Sequence, residues 1–366
     1  SLNKSPLVSE IHAIPGNPGI SEIGTCHKGS VEDLEFILNF VKENNIDFTV
    51  VGPEAALAVG VVDAFRAAGL RIFGPTKAAT QIESSKEFAK DLMKKYSIPT
   101  AAYEVFDNYE AALEYVKKGT FPTVLKYDGL AAGKGVVIPE TLEEADEALR
   151  DMLLNDKFGH GRVVIEEFMT GPEFSFMCFV SDEKVYPMEV AQDHKRAFDG
   201  DKGPNTGGMG AYSPLPFITA EDIDWAYDHI MCATANALIA EGCSFRGVLY
   251  GGLMKTPNGI KVIEFNARFG DPETEVVLPR LESDIYDIFC AVAEGEDMDE
   301  IKWNGKASIG IVLASKGYPD AYNYAMKQLE RETRPARIFH DRTYGSNFHY
   351  EDFVPMFKAE LFDADR

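Results

Sequence analysis

The sequence is poor in cysteine and in positive charge, and it has no long apolar run. Its five cysteines are an odd number, and no two of them have the Cys-x-x-Cys spacing of zinc sites and redox motifs. We therefore expect neither a disulfide framework nor a structural zinc, as is typical of the reducing cytoplasm. No apolar stretch approaches the roughly 20 residues of a membrane-spanning helix, and the first residues show no signal-peptide pattern.

The chain is strongly acidic. Lys and Arg number 36 against 59 Asp and Glu, which gives a net charge of -23. Such a chain is a poor general binder of nucleic acid or of anionic membranes, so we expect neither as a partner. If its substrates carry phosphates, basic side chains must be concentrated locally. A length of 366 residues is too great for one ordinary core and predicts two or three domains.

Short apolar segments alternate with amphipathic segments in the first hundred residues. We predict helices at 31–43, 59–68 and 80–97 and strands at 47–53 and 70–75. Strands that alternate with helices predict a parallel sheet, which binds ligands at the carboxyl ends of its strands. The Gly-Pro-Glu segment at 52–54 lies at one such end.

Two further blocks follow, at 101–168 and 173–300. In the first we predict strands at 123–126, 135–138 and 162–165 and a helix from Leu142. In the second we predict strands at 174–180, 185–191, 246–254 and 260–266, a Gly-rich loop at 198–214, and helices at 220–241 and 282–294.

A Gly-rich turn lies between two of these strands, where residues 128–136 read DGLAAGKGV. It has neither the spacing of a Walker A loop nor that of a dinucleotide fingerprint. A glycine turn with a lysine can still fold over phosphates, offering backbone N–H groups and a positive charge. The alternative is an ordinary hairpin. Lys126, near the end of the preceding apolar strand, is a better phosphate ligand candidate than Lys86.

The most informative segment is 262–273, which reads VIEFNARFGDPE. Because strand side chains alternate between faces, Glu264, Asn266 and Arg268 project to the same side. An acid and an amide two residues apart supply the oxygen ligands that Mg²⁺ prefers. Arg268 beside them suits a terminal phosphate or a developing phosphoryl charge. The alternative is a sheet with one solvated polar face, which the neutral Asn266 argues against.

Two other segments are candidates for binding. At 165–168 the strand end reads IEEF, where backbone groups could bind an adenine edge; acidic residues at an ordinary strand end are the equal alternative. At 192–196 the sequence QDHKR opens the long Gly-rich loop and places three potential cations together. Long loops of this kind are usually functional or disordered.

These motifs occur in an order that resembles a known family. They are GPE at 52–54, SK at 85–86, KYDGLAAGKG at 126–135, IEEF at 165–168, QDHKR at 192–196, GPNTGGMG at 203–210 and EFNARFGDPE at 264–273. Together they resemble the phosphoribosylamine–glycine ligases, or glycinamide ribonucleotide synthetases, of the ATP-grasp superfamily. The resemblance extends from about Ile11 to Pro319 and, because several long motifs are involved, is highly specific.

The resemblance implies an α/β and α+β chain, with an incomplete Rossmann-like domain followed by an ATP-grasp fold. The implied domains are 1–100, Rossmann-like without its first strand; 101–168, the small ATP-grasp subdomain; 169–300, the large subdomain; and 301–366, an atypical C-terminal segment. The family's opening strand and its Gly-Gly-Arg-Glu-His turn are not in this sequence, which we expect to leave a sheet edge exposed. Residues 343–363 faintly resemble part of a fucosidase-type glycoside hydrolase.

The resemblance also implies a set of site residues. ATP would contact Lys86, Lys126, Gly129, Gly133, Lys134, Gly135, Glu166, Phe168 and Glu173. Phosphoribosylamine and the acceptor site would use Gly16, Asn17, Glu54, Asp193, Lys195, Arg196, Asn205 and Gly208. Glu264 and Asn266 would hold Mg²⁺ or Mn²⁺, and the catalytic residues would be Arg268, Lys126 and Asp271.

The implied reaction joins glycine to 5-phosphoribosylamine through glycyl phosphate and releases ADP, in purine biosynthesis. The implied partners are these small molecules alone, and the implied state is a monomer or weak dimer. Two alternatives stay open: an ATP-grasp ligase with another acceptor, and an ATP-binding module without turnover. The loop at 192–210 distinguishes the first, because it belongs to the acceptor side.

Overall fold

The computed structural model describes residues 1–129, 135–155, 161–198, 202–312 and 358–363, with only the backbone at 204–205 and 358–363. Gly133 and Lys134 lie outside these residues, as does the side chain of Asn205. Within the described ranges, no helix has both the length and the apolar character needed to cross a membrane.

The N-terminal part contains short parallel strands and helices. Its strands are β1 (His12–Ala13), β2 (Thr25–Cys26), β3 (Thr49–Val50) and β4 (Ile72–Phe73), and its helices are α1 (Leu34–Glu43), α2 (Glu54–Val59), α3 (Val61–Ala67), α4 (Lys77–Ser84) and α5 (Lys86–Lys95), with 3-10 turns at Leu2–Lys4 and Ile20–Glu22. β1 pairs with β2 and β3 with β4, both in parallel. The parallel arrangement is as predicted, although the described strands form two separate pairs.

One helix prediction is confirmed within two residues and another was wrong. The predicted helix at 59–68 is α3, whereas α2 before it was not predicted. Gly60 separates the two helices with a φ of 93°, a conformation that glycine adopts without the penalty of a Cβ. The predicted helix at 80–97 is α4 and α5, because Ser85 leaves the helical conformation. Its hydroxyl accepts a hydrogen bond from the Phe88 N–H and so caps α5.

The next part is a four-stranded antiparallel sheet covered by two helices. It consists of β5 (Tyr103–Phe106), α6 (Tyr109–Lys118), β6 (Thr123–Tyr127), β7 (Val136–Val137), α7 (Leu142–Leu153) and β8 (Val163–Glu167), with strand order β5-β8-β6-β7. Apolar side chains of α6 and α7, including Ala112 and Leu149, pack on Leu125 and Ile165 of the sheet. The Gly-rich turn joins the antiparallel strands β6 and β7, as predicted.

Among the described residues, the largest part contains two four-stranded sheets and a two-stranded one. Its strands are β9 (Glu173–Ser181), β10 (Lys184–Pro187), β11 (Gln192–Asp193), β12 (Arg196–Phe198), β13 (Lys202–Asn205), β14 (Gly210–Ser213), β15 (Arg246–Thr256), β16 (Gly259–Asn266), β17 (Lys306–Ile311) and β18 (Lys358–Asp363). The strand orders are β10-β9-β15-β16, β11-β14-β17-β18 and β12-β13. The predicted loop at 198–214 therefore contains short strands, and the predicted strand at 185–191 ends at Pro187.

Its helices are α8 (Ala220–Ala226), α9 (Ala233–Ala240), α10 (Thr274–Val277) and α11 (Ile285–Glu294), with a π-helical segment at Tyr227–Cys232 between α8 and α9 and a 3-10 turn at Leu278–Arg280. The predicted helix at 220–241 is thus continuous but locally widened. The predicted helix at 282–294 begins only at Ile285, because the Asp284 side chain caps it.

Strand β9 is buried on both faces. Phe174 and Phe176 belong to a core shared with α9 and the N-terminal helices, whereas Met177 and Phe179 belong to a core shared with α11. This burial explains the nearly continuous apolar sequence of β9. β16, by contrast, is at the edge of its sheet. It contacts the segment between α5 and β5, where the Thr100 hydroxyl donates to the Val262 carbonyl oxygen at 2.8 Å.

Candidate functional site

A cavity of about 210 Å³ lies where α4, α5, the β6–β7 turn and β16 converge. Most of its polar lining is charged. The charged and amide side chains that line it are Glu54, Glu83, Lys86, Lys90, Lys126, Glu166, Glu264, Asn266 and Arg268, and Gly129 and Gly135 border it. In an acidic protein, this lining gathers three lysines and an arginine around one cavity, where they face four glutamates; basic groups of this kind can contact phosphates.

The three polar residues of the 264–268 segment all line this cavity, together with Ile263 and Phe265 between them. Arg268 Nη2 lies 3.5 Å from Asn266 Oδ1, and Arg268 Nη1 donates to the Phe269 carbonyl oxygen at 3.1 Å. Burial alone would raise the pKa of Glu264, but Lys195, Lys126, Lys86 and Arg268 together lower it below its ordinary value. Glu264 is therefore ionised at neutral pH.

The cavity wall fits a divalent cation that is shared with a phosphate substrate. Within the described ranges, no group of three or more His, Cys, Asp or Glu side chains forms a ready metal site. An ionised Glu264 and the Asn266 amide supply two oxygens, and Mg²⁺ commonly takes its remaining ligands from water and substrate phosphates. Two protein ligands beside lysines that could contact phosphates match that mode of binding.

Lys86 and Asp128 join α5 to the Gly-rich turn. The Asp128 carboxylate accepts a hydrogen bond from the Lys86 backbone N–H at 2.6 Å, at the N-terminus of α5, where the helix dipole favours negative charge. The Lys86 ammonium in turn donates to the Gly129 carbonyl oxygen at 3.1 Å. The start of the turn is thereby held against the cavity.

Lys126 crosses from β6 to β16. Its Nζ donates to the Ile263 carbonyl oxygen at 2.9 Å and lies 3.0 Å from Glu166 Oε1. Glu166 Oε1 nevertheless accepts no hydrogen bond among the described residues, so this contact is an ion pair with poor hydrogen-bond geometry. Lys126 therefore ties the small sheet to the strand that carries Glu264.

The sequence interpretation missed Lys90. Its Nζ donates to Glu166 Oε2 at 2.9 Å and to the Thr100 hydroxyl at 2.7 Å, and its side chain is only 3% exposed. Burial lowers the pKa of Lys90 to about 8. Its position four residues after Lys86 on one helix was the available signal, because i and i+4 share a helix face.

Glu83 was also missed. Its Oε1 lies 3.0 Å from Arg268 Nη2, and its Oε2 accepts the Ala267 backbone N–H at 2.8 Å. Burial raises the pKa of Glu83, although Arg268 opposes the shift. The second acid near Arg268 is Glu54, 3.8 Å from Nε.

A second charged group lies next to the cavity without lining it. Lys195 Nζ is 3.6 Å from Asp193 Oδ2 and 3.7 Å from Glu173 Oε2. Burial, with the charges of Glu273 and Glu173, raises the pKa of Asp193 to about 6, while Lys195 opposes the shift. Glu273 itself is buried and accepts hydrogen bonds from Ser175 and Tyr250 at 2.7 and 2.8 Å.

Nine of the predicted site residues that the structure describes lie outside the cavity lining. Glu173, Asp193 and Lys195 form the group above, and the others are Gly16, Asn17, Phe168, Arg196, Gly208 and Asp271. Asn17 caps the short turn at Ile20, and Phe168 is 42% exposed. Arg196 donates to the Gly203 carbonyl oxygen at 2.8 Å. Gly208, with a φ of 113°, packs against Pro272 next to Asp271.

The fold and this cavity define an ATP-grasp protein. The model of the phosphoribosylglycinamide synthetase ATP-grasp (A) domain matches residues 84–274. A biotin carboxylase structure from Campylobacter jejuni, solved with a β,γ-ATP compound, is 15% identical with a TM-score of 0.71, over 96% of this chain and 81% of that one, and so shows the shared fold alone. Proteins of this class use ATP and in general depend on a divalent metal.

The chain belongs to the phosphoribosylglycinamide synthetase family, whose N domain model matches residues 1–83. A phosphoribosylamine–glycine ligase from Halalkalibacterium halodurans is 52% identical, over 93% of this chain and 80% of that protein, and one from Vibrio parahaemolyticus is 48% identical over 93% and 81%. The structure of the Thermotoga maritima phosphoribosylamine–glycine ligase is 36% identical with a TM-score of 0.73, over 85% and 76%. An alpha-L-fucosidase model matches residues 302–366, in line with the resemblance expected of the tail.

Proposed function

We propose that the protein is an ATP-grasp carbon–nitrogen ligase that joins glycine to 5-phosphoribosylamine. The products are glycinamide ribonucleotide, ADP and phosphate, and the step belongs to de novo purine biosynthesis. The observation that carries the proposal is the convergence of Glu264, Asn266 and Arg268 with Lys86 and Lys126 around one cavity. It is supported by relatives named for this reaction that are about half identical over most of the chain.

ATP occupies the cavity with its phosphates towards β16. Lys86 and Lys126 contact the phosphates, and the turn at 128–136, with Gly129, Gly133, Lys134 and Gly135, closes over them. Glu166 and Phe168 border the adenine, and Glu173 binds the ribose. The positions of Lys86 and Lys126 in the lining and the attachment of the turn to α5 through Asp128 support this orientation.

Glu264 and Asn266 are the residues that would hold Mg²⁺, or Mn²⁺ in its place. The ion supplies positive charge that offsets the charge of the phosphates during transfer. The lowered pKa of Glu264 supports this role, because the ligand must be ionised at neutral pH.

The chemistry consists of two displacements. A carboxylate oxygen of glycine attacks the γ-phosphorus of ATP, the bond to the β-phosphate oxygen breaks, and ADP leaves. The amine of phosphoribosylamine then attacks the acyl carbon of glycyl phosphate, phosphate leaves with the bridging oxygen, and the nitrogen loses a proton. Arg268 stabilises the charge on the transferred phosphoryl group, so no side-chain nucleophile is needed.

The acceptor substrates lie beyond Arg268. Gly16, Asn17 and Glu54 face phosphoribosylamine, and the acceptor site uses Asp193, Lys195, Arg196, Asn205, Gly208 and Asp271. The 3.8 Å contact between Glu54 and Arg268 supports placing phosphoribosylamine on this side of the cavity. The group around Lys195 supports the same placement, because the positive charge of Lys195 lowers the pKa of Glu264 and must therefore lie near it.

The domains we propose are 1–100, 101–168, 169–300 and 301–366. The family matches at 1–83 and 84–274 support a division in the first part of the chain. We also propose a cytoplasmic monomer or weak dimer. The five cysteines, all without disulfide partners, support a reducing compartment.

The experiment that tests the proposal measures ADP release with ATP, Mg²⁺, glycine and 5-phosphoribosylamine generated from ribose 5-phosphate and ammonia. We expect release only when both glycine and phosphoribosylamine are present. Lys86→Met should abolish it, whereas Lys94→Met, which removes an exposed lysine two turns along the same helix, should not. ATP binding without coupled turnover would favour the inactive module, and turnover with another acceptor would favour the second alternative.

A further inference from the structure

We infer that Glu83 is a positioning residue that holds Arg268 towards the phosphoryl group during transfer; the inference rests on the proposed function. Glu83 is at the C-terminal end of α4, whereas Arg268 follows the last residue of β16 by two positions. The two are distant in sequence and come from different parts of the fold. A contact between them therefore fixes how these parts meet at the cavity.

Glu83 makes two contacts with consecutive residues. Its Oε1 is 3.0 Å from the Arg268 guanidinium, and its Oε2 accepts the Ala267 backbone N–H at 2.8 Å. Both oxygens of the carboxylate are used, so the side chain fixes the backbone after β16 and the direction of the arginine together. The contact with the Ala267 N–H is a charge-assisted hydrogen bond, and the contact with Arg268 is a close ion pair.

The other partners of Arg268 cannot replace Glu83. The Glu54 carboxylate is farther away, at 3.8 Å, and its side chain is 36% exposed, whereas that of Glu83 is 6% exposed. The Asn266 oxygen is 3.5 Å away, at the limit of a hydrogen bond. The Phe269 carbonyl is adjacent in sequence and moves with the arginine. Of these partners, Glu83 combines a short distance to Arg268, a buried side chain and a position outside the 264–269 segment.

A positioning role predicts a specific kinetic effect. If Glu83 acts through Arg268, its loss weakens stabilisation of the transferred phosphoryl group but leaves ATP binding largely unchanged. Displacement of a reacting or stabilising group by about 1 Å can cost about 100-fold in rate. If Glu83 had a purely structural role, its loss would instead lower the amount of folded protein. The protein that did fold would keep nearly wild-type kcat and KM.

The test compares Glu83→Gln with Glu87→Gln, a control that also removes a carboxylate paired with an arginine, but at the surface. We expect Glu83→Gln to lower kcat for ADP release by about 100-fold with the KM for ATP within about threefold. In Arg268→Lys the added Glu83→Gln change should cost little more, because the two residues act as one unit. Glu87→Gln should behave as the wild type.

Nitrogen-15 NMR of the arginine side chains gives a readout that does not depend on turnover. The guanidinium signal that disappears in Arg268→Lys should exchange faster with solvent in Glu83→Gln and should be unchanged in Glu87→Gln. Wild-type kcat, or an unchanged Arg268 signal, in Glu83→Gln would overturn the inference. A wild type without glycine-dependent turnover would instead overturn the proposed function. Should Glu83→Gln fail to fold, Glu83→Asp, which withdraws the carboxylate by one methylene, carries the same expectations.

Discussion

Replacement of Lys90 by Met should destabilise the protein strongly. Lys90 and Glu166 form an ion pair at 2.9 Å in which the two side chains are 3% and 2% exposed. Removing one partner leaves a buried charge uncompensated, which typically costs about 3–5 kcal/mol. Lys126 stays 3.0 Å from the other carboxylate oxygen, so we expect a value near the lower end, about 3 kcal/mol.

Thermal unfolding followed by calorimetry measures this effect. A loss of 1 kcal/mol lowers the melting temperature by about 2–4 °C in a domain of 150–250 residues, so Lys90→Met should melt about 6–12 °C lower. The double variant Lys90→Met/Glu166→Gln should not recover the loss, because removing the Glu166 carboxylate leaves the buried Lys126 ammonium without its ion-pair partner. Lys94→Met, whose lysine is exposed on the same helix, should stay within about 0.5 kcal/mol of the wild type.

The pH dependence has a defined sign. Burial lowers the pKa of Lys90 to about 8 from an ordinary 10.5, so between these values the unfolded chain binds a proton that the folded chain lacks. Wild-type stability relative to Lys90→Met should therefore rise as pH increases from about 8 to 10.5. A Lys90→Met protein that melts with the wild type, and with no pH-dependent difference, would refute this view of the buried ion pair.

Three further predictions concern the site. Glu264→Gln should raise the Mg²⁺ concentration for half-maximal activity by at least about 10-fold, because the ionised ligand is lost; an unchanged Mg²⁺ titration would count against the metal assignment. Arg268→Lys should lower kcat by about 100-fold with ATP binding retained, because lysine keeps the charge but not the planar fork; near-normal kcat would argue against its role. Asp193 has a pKa raised by burial to about 6 from 3.8, so the wild type should lose stability relative to Asp193→Asn as pH rises from about 4 to 6; a constant melting difference across that range would contradict this.

The strand that carries the site could be predicted because its signal is local. Glu264, Asn266 and Arg268 alternate with the apolar residues Ile263 and Phe265, and strand geometry then determines their common direction. The β6–β7 turn was predictable for the same reason, since its glycines lie between two apolar strands.

Breaks within helices were harder to predict. Ser85 lies in a segment whose apolar periodicity continues on both sides, so the pattern indicated a single helix at 80–97. The backbone there is decided by short-range chemistry, because the serine caps the next helix. At Gly60, a glycine in the left-handed region likewise separates α2 from α3. Helix boundaries depend on such single residues more than on periodicity.

The buried residues Lys90 and Glu83 could not be assigned to the site from the sequence, because the residues that they contact are distant in sequence. Lys90 and Glu166 are 76 residues apart, and Glu83 accepts a hydrogen bond from a residue 184 positions away. A lysine or glutamate on an amphipathic helix is usually solvated, and only the tertiary fold shows that these two are enclosed.

The most direct test of the proposed function follows the oxygen of the glycine carboxylate. The glycine is labelled with ¹⁸O in its carboxylate. One labelled oxygen attacks the γ-phosphorus, and it stays with the phosphate when the acyl carbon–oxygen bond is later cleaved. Phosphorus-31 NMR of the wild-type reaction should show phosphate that carries one ¹⁸O for each glycinamide ribonucleotide formed. Unlabelled phosphate, or ADP released without glycine, would contradict the proposed ligase chemistry.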